Sequence, residues 1–190
     1  MEQAYHQDKI FDRISFSEKE VKDREFEKCT FQQCDLSNSN FSGNRFSDCV
    51  FADCNLSMLK LRGSKMSNIV FKNSKVMGVN FSDCDNFLFS VRFENCVADY
   101  TSFMNRKMPK TTFLNTSLKH ANFANAILNL AVFDNTDLLE AHFERTQLSE
   151  ADFRTAYNYI IDPEQNSIKK AKFSAHGLIG LLAKYDLLIE

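Results

Sequence analysis

Residues 93–153 read FENCVADYTSFMNRKMPKTTFLNTSLKHANFANAILNLAVFDNTDLLEAHFERTQLSEADF. A large apolar side chain returns on a five-residue beat, at Phe93, Phe103, Met108, Phe113, Leu118, Phe123, Leu128, Phe133, Leu138, Phe143, Leu148 and Phe153. An α-helix repeats its buried face at about 3.6 residues and a strand at about 2, so neither element has this period. The chain must turn a corner once per unit, which points to a repeat architecture.

Upstream the same beat runs in a first register through Phe11, Phe16, Val21, Phe26, Phe31, Leu36, Phe41, Phe46, Phe51, Leu56, Leu61, Met66, Phe71, Val76 and Phe81. The next apolar centre reads as Leu88, which implies a two-residue slip near 82–87. Of the nineteen Phe, only Phe87 and Phe89 fall outside the two registers. Two residues before each centre sits a second inward class, mostly small, as at Cys29, Cys34, Ser39, Cys49, Cys54, Thr116, Ala121, Thr136 and Ala151; Arg106 is a looser match. Asn or Asp often stands just before the centre, as in Cys34-Asp35-Leu36, Ala121-Asn122-Phe123 and Ala151-Asp152-Phe153.

This small-(Asn/Asp)-(Leu/Phe)-x-x pattern resembles the pentapeptide-repeat family from Phe11 to Ala156. The resemblance implies an all-β solenoid, a right-handed quadrilateral parallel β-helix in which four pentapeptides make one coil. Residues twenty apart should then stack. One face does read Phe11, Phe31, Phe51, Phe71 and, across the slip, Phe93, Phe113, Phe133, Phe153, Phe173, a ladder of phenylalanines only. The other three faces keep their apolar identity across the slip, so residues 1–190 are read as one domain. Its parts are a lead-in (1–10), the β-helix (11–156), a degenerate terminal coil (157–173) and a C-terminal helix with a short tail strand (174–190).

The terminal segment changes character after Asp162-Pro163-Glu164. Ser174 is placed to cap a helix through about Tyr185, with Leu178, Ile179, Leu181, Leu182 and Tyr185 as its apolar stripe. Gly177 and Gly180 weaken such a helix in isolation, so it should depend on packing. The helix and the tail with Leu187, Leu188 and Ile189 are expected to cover the last coil and to join two chains as a homodimer.

Charge and composition limit the chemistry. Net charge is −2 and pI about 6.1, which gives no global attraction to nucleic acid or membranes. No signal-like or membrane-length apolar segment occurs, and cytoplasmic residence with six reduced, buried cysteines is expected. His6, His120, His142 and His176 show no ligand spacing and fall in no inward class, and no nucleophile elbow, phosphate loop or carboxylate pair is present. No catalytic residue, cofactor or metal is expected.

Local charge is more informative. Residues 136–164 hold seven acids against two bases, whereas 29–135 hold eight acids and eleven bases. Asp134, Asp137, Glu140, Glu144, Glu150 and Asp152 flank the apolar centres and are expected to face outward. This arrangement, with Cys54-Asn55-Leu56-Ser57-Met58, Ser102-Phe103-Met104-Asn105 and the ending Leu181-Leu182 through Leu187-Leu188-Ile189, is similar to the Qnr-like, quinolone-resistance branch of the family. That resemblance implies a dimeric rod that mimics B-form DNA, with these carboxylates in place of phosphates, and binds DNA gyrase or topoisomerase IV without binding nucleic acid itself. The competing expectation is a scaffolding rod that binds another protein through its flat faces.

Overall fold

The computed structural model describes residues 4–188, and within them the chain winds as a parallel β-solenoid. On one side β2 (Ile10–Asp12), β4 (Thr30–Gln32), β6 (Val50–Ala52), β8 (Ile69–Lys72), β9 (Val91–Glu94), β10 (Thr112–Leu114) and β11 (Val132–Asp134) form a seven-stranded sheet. On another, β1 (Tyr5–Gln7), β3 (Glu25–Glu27), β5 (Arg45–Ser47) and β7 (Lys65–Ser67) form a four-stranded one. The remaining sides are held by single parallel bridges such as Asp35 to Asn55 and Ser102 to Asn122. Partners lie twenty residues apart, Phe31 with Phe51 and Phe113 with Phe133, but Phe71 pairs with Phe93. The slip is therefore absorbed locally and the sheet runs on through it.

The Phe ladder is present over all nine rungs, with neighbouring ring centroids 4.5–5.3 Å apart and planes within 19° of parallel. Strand spacing sets this distance, because coils about 4.8 Å apart bring identical rings into offset stacking. A second column, Phe81, Phe103, Phe123 and Phe143, stacks at 5.0–5.2 Å and meets the first edge to face.

The small inward class has a task beyond filling space. Cys34, Cys54, Ser64, Thr136 and Thr146 donate from Sγ or Oγ to the carbonyls of Phe11, Phe31, Phe41, Phe113 and Phe123 at 2.7–3.2 Å. These are carbonyls of the buried inward centres, and the donors satisfy them where water cannot reach. Burial pushes the thiols of Cys49 and Cys84 up to about 12 and that of Cys96 to about 11, consistent with unreactive packing groups. Outside, the corner after the Phe face adopts φ of +48° to +55° at Arg13, Gln33, Asp53, Asn73, Asn95, Asn115 and Asn135. Asn tolerates that left-handed conformation best among side-chain-bearing residues. Asn73, Asn95, Asn115 and Asn135 also bond amide to amide at 2.8–3.1 Å, an asparagine ladder along the rod.

Four expectations need correction. Leu88 is not the inward centre after Phe81: it is 65% exposed at φ +55°, and Phe89, 6% exposed, turns inward. Phe89 meets the Phe81 ring edge-on, and the Arg106 guanidinium lies 5.5 Å from its centroid, contacts that hydrophobicity alone could not assign within Phe87-Leu88-Phe89. His6, at the position ahead of Phe11 on the beat, is buried and stacks on Phe26 at 5.0 Å, so the winding starts inside the segment read as a lead-in.

The C-terminal helix is a composite: a 3-10 turn at His176–Leu178, α1 at Ile179–Leu182 and a second 3-10 turn at Ala183–Tyr185. The Gly177 N–H donates to Ser174 Oγ at 3.1 Å, the expected cap. Gly177 and Gly180 leave room for Tyr159, since a Cβ on either would run into its hydroxyl or its carbonyl. Finally, Asp186 to Leu188 form no strand; Asp186 turns the chain at φ +49° and Leu188 is 90% exposed. The rod ends on a helix, which leaves the tail no strand edge to pair with; Ile189 lies outside the described residues.

Phe113 contacts four other rings and is fully buried. Phe113→Ala is expected to cost about 3–5 kcal/mol in denaturant unfolding, and Phe173→Ala, half-buried at the end of the ladder, well below that.

Candidate functional site

The interior is filled by the inward columns, so the grooves that remain lie on the outer surface. Among the described residues no group of three His, Cys, Asp or Glu converges to hold a metal, and no helix is long and apolar enough to cross a membrane.

The structure scatters the six candidate carboxylates around the rod. Asp134 and Asp152 lie together beside the Phe face, where Thr155 Oγ1 donates to Asp134 at 2.7 Å. Asp152 accepts from Arg154 Nη2 at 2.7 Å and from Nε at 3.0 and 3.1 Å, and these bonds hold its carboxyl below the usual range. Asp137, expected outward, is buried: it accepts from the Leu139 N–H at 3.2 Å and Asn158 Nδ2 at 2.8 Å, with Lys119 Nζ 3.3 Å away. Asp137 and Asp152, like Asp35, Asn55 and Asn122, accept the N–H two residues on and so shape the corner as Asx turns. Glu140 stands at a corner 3.0 Å from His120 Nδ1, and Glu144 on the next face lies 3.4 Å from His142 Nε2. Glu150 is exposed at a further corner. Glu140, Glu144 and Glu150 are thus the solvent-facing acids, Glu140 and Glu144 each beside a histidine and Glu144 also 3.9 Å from Arg145 Nε, while Asp134, Asp137 and Asp152 are held by closer hydrogen bonds.

At the C-terminal end the helix caps its own rod. Phe153, Tyr159 and Phe173 close the aromatic core, and Leu181 packs against it. The Ile161 N–H donates to the Gly180 carbonyl at 3.0 Å. Lys184 Nζ reaches Asp162 Oδ1 at 2.8 Å and Glu164 Oε2 at 2.7 Å, and Tyr185 Oη donates to Glu164 Oε1 at 2.8 Å. Hydrogen bonding by Lys184 holds both carboxyls below their ordinary range.

Of the residues assigned to a dimer contact, Leu178, Ile179, Tyr185, Leu187 and Leu188 are exposed and Leu181 and Leu182 are half-buried. Leu139, Tyr157 and Ile160, which the sequence did not single out, join Ile179 around a groove of about 550 Å³. The beat puts all three at outward positions, but their convergence with Ile179 depends on how the terminal helix packs.

The insertion at 84–90 is the third surface feature. Arg106 points inward into the small-residue slot and is 4% exposed. Its Nη2 donates to the Ser82 carbonyl at 2.7 Å and its Nη1 to that of Asp85 at 3.2 Å. The loop is therefore held from inside, with Phe87 and Leu88 at its exposed tip.

Family models for "pentapeptide repeat region" and "pentapeptide repeats (8 copies)" match residues 24–103 and 116–154. Among solved structures, a trypsin-treated form of QnrB1, a plasmid-mediated fluoroquinolone resistance protein, aligns at 18% identity over 98% of this chain and 97% of that one, with a TM-score of 0.54. HetL from the cyanobacterium Nostoc sp. strain PCC 7120, a pentapeptide repeat protein involved in heterocyst differentiation regulation, aligns at 15% identity over 91% and 87%, with a TM-score of 0.55. At these identities the likeness concerns the fold. No curated protein sequence matches.

Asp162 and Glu164 have pKa values depressed in the folded state, so the latch stabilises the cap above the ordinary carboxylate range and is lost as pH falls through the depressed values. Protection factors for amide exchange in 174–188, taken relative to the intrinsic rate at each pH, are expected to fall below about pH 4, before the Phe ladder opens. Lys184→Met should raise exchange there at neutral pH and flatten the response to acid.

Proposed function

Since the chain belongs to the pentapeptide-repeat family, we propose that it is a non-catalytic binding rod that engages a protein partner in the cytoplasm through its outer surface. The observation behind this is the self-filled interior: inward positions from Phe26 to Phe153 are closed by stacked side chains, so recognition falls to the exterior. Two such rods join at their C-terminal ends. In support, Leu139, Tyr157, Ile160 and Ile179 expose a contiguous apolar groove that would be costly to leave in water.

The partner we assign first is a type II topoisomerase, DNA gyrase or topoisomerase IV, met as a DNA mimic. The Qnr-like sequence features favour it, as do the outward carboxylates of Glu140, Glu144 and Glu150 on successive corners and faces. One observation favours the scaffolding reading instead: Asp134, Asp137 and Asp152 bond to their own neighbours, which reduces the charge available to imitate phosphates. Electrostatic competition for a DNA groove would be steep in salt and would depend on the exposed acids.

Gyrase supercoiling, titrated with the protein with and without a fluoroquinolone, separates the two. DNA mimicry predicts a concentration-dependent effect that the triple change of Glu140, Glu144 and Glu150 to Lys weakens at least tenfold. An inert wild type, or a variant as active as wild type, leaves the scaffolding rod. Light scattering addresses assembly: the expected mass is twice the 21.9 kDa chain, and Ile179→Asp is expected to give monomers with unchanged circular dichroism. A monomeric wild type removes the dimer.

A further inference from the structure

The loop tip sets two adjacent large apolar side chains beside two cations on the side of the rod. Phe87 is 67% and Leu88 65% exposed, and they border a pocket of about 210 Å³ with Arg45, Ser47, Lys65 and Ser67. Small-molecule sites usually enclose about 300–1,000 Å³, so this one suits a single side chain of a larger partner.

Two features make it more than a tolerated insertion. The first is rigidity. Arg106 holds the Ser82 and Asp85 carbonyls from within, the Asp85 carboxylate accepts the Phe87 N–H at 2.8 Å, and the Asp85 and Ser90 N–H groups bond to the carbonyls of Ser64 and Met66. A pre-ordered apolar tip loses little conformational entropy on binding, which is what a hot spot requires. The second is charge. Lys65 makes no ion pair or side-chain hydrogen bond among the described residues, and Arg45 is shared only with Glu25 across an exposed 3.6 Å contact of little worth. Both cations stand beside the apolar pair.

We propose that Phe87 and Leu88, with Arg45 and Lys65, form a docking site for an acidic peptide segment of a partner protein. One apolar side chain of that segment enters the pocket and its neighbouring carboxylates meet the two cations. Nucleic acid fits less well, because two bases neutralise few phosphates, whereas a short acidic segment needs only a few contacts and brings an apolar side chain for the pocket. The site is separate from the carboxylates and the C-terminal groove and stands whether or not the rod binds a topoisomerase.

Fluorescence anisotropy with labelled degenerate peptide pools tests it on the full chain. One pool alternates Glu or Asp with Leu, Phe or Tyr; a second replaces the acids by Lys or Arg; a single-stranded oligonucleotide is the third probe. The acidic pool is expected to bind, to weaken with added salt, and to lose at least tenfold in affinity with Phe87→Ser or Lys65→Glu. Leu130→Ser, at an exposed corner elsewhere, should leave it unchanged. The substituted side chains are on the surface, so unchanged thermal unfolding is expected for all three variants. No binding of the acidic pool, equal or tighter binding of the basic pool or the oligonucleotide, or affinity indifferent to Phe87 and Lys65 overturns the proposal.

Discussion

Every coil must lie on the next at the spacing of parallel strands, and the rest of the molecule follows from that spacing. Rings such as Phe93, Phe113 and Phe133 recur in register because identical rings at strand spacing stack offset and fill the column closely, whereas other columns mix Phe with Met, Leu or Val. The carbonyls of inward centres such as Phe11, Phe41 and Phe123 accept from the Cys, Ser or Thr that stands two residues before a centre on the next coil. Outside, the left-handed corner favours Asn, and the same spacing links Asn73, Asn95, Asn115 and Asn135. Core, turn and surface ladder are three consequences of one geometry.

Where the repeat is interrupted, the protein substitutes specific chemistry for periodicity. Two extra residues in one turn expose carbonyls that no small side chain reaches, and Arg106 reaches them from a slot held mostly by Cys, Ser, Thr or Ala. Removing water from a guanidinium is costly unless its donors are used, and here two are, with the Phe89 ring covering the group. At the C-terminal end, Tyr159 replaces the pentad centre and two glycines let the capping helix approach it. Both interruptions leave apolar side chains outside, at Phe87 and Leu88 and at Ile160 and Ile179.

Function in such a molecule is a matter of what the outside offers. The carboxylates divide by structural duty: Asp137 and Asp152 close turns of the backbone, whereas Glu140, Glu144 and Glu150 bond to no backbone N–H among the described residues and stand on the surface, the first two beside His120 and His142. A charge count over 136–164 cannot make that division, since an Asp just before an inward centre looks the same in sequence whether it caps its own turn or faces a partner. The proposed recognition surfaces therefore rest on fewer acids and more apolar contacts than the sequence suggests.

The five-residue beat was enough to indicate a solenoid; the family resemblance supplied the four-sided coil, and the twenty-residue recurrence of Phe agreed with it and carried the rod across the slip. Those features are periodic, and a period written in side-chain size survives any local detail. Only the folded chain decided which of Phe87, Leu88 and Phe89 turns inward, that Arg106 anchors a loop, that Asp137 is buried, and that Asp186 to Leu188 form no strand. Each of these depends on a contact with a residue about twenty positions away, or with a cap that ends the repeat, and such contacts leave no period in the sequence to read.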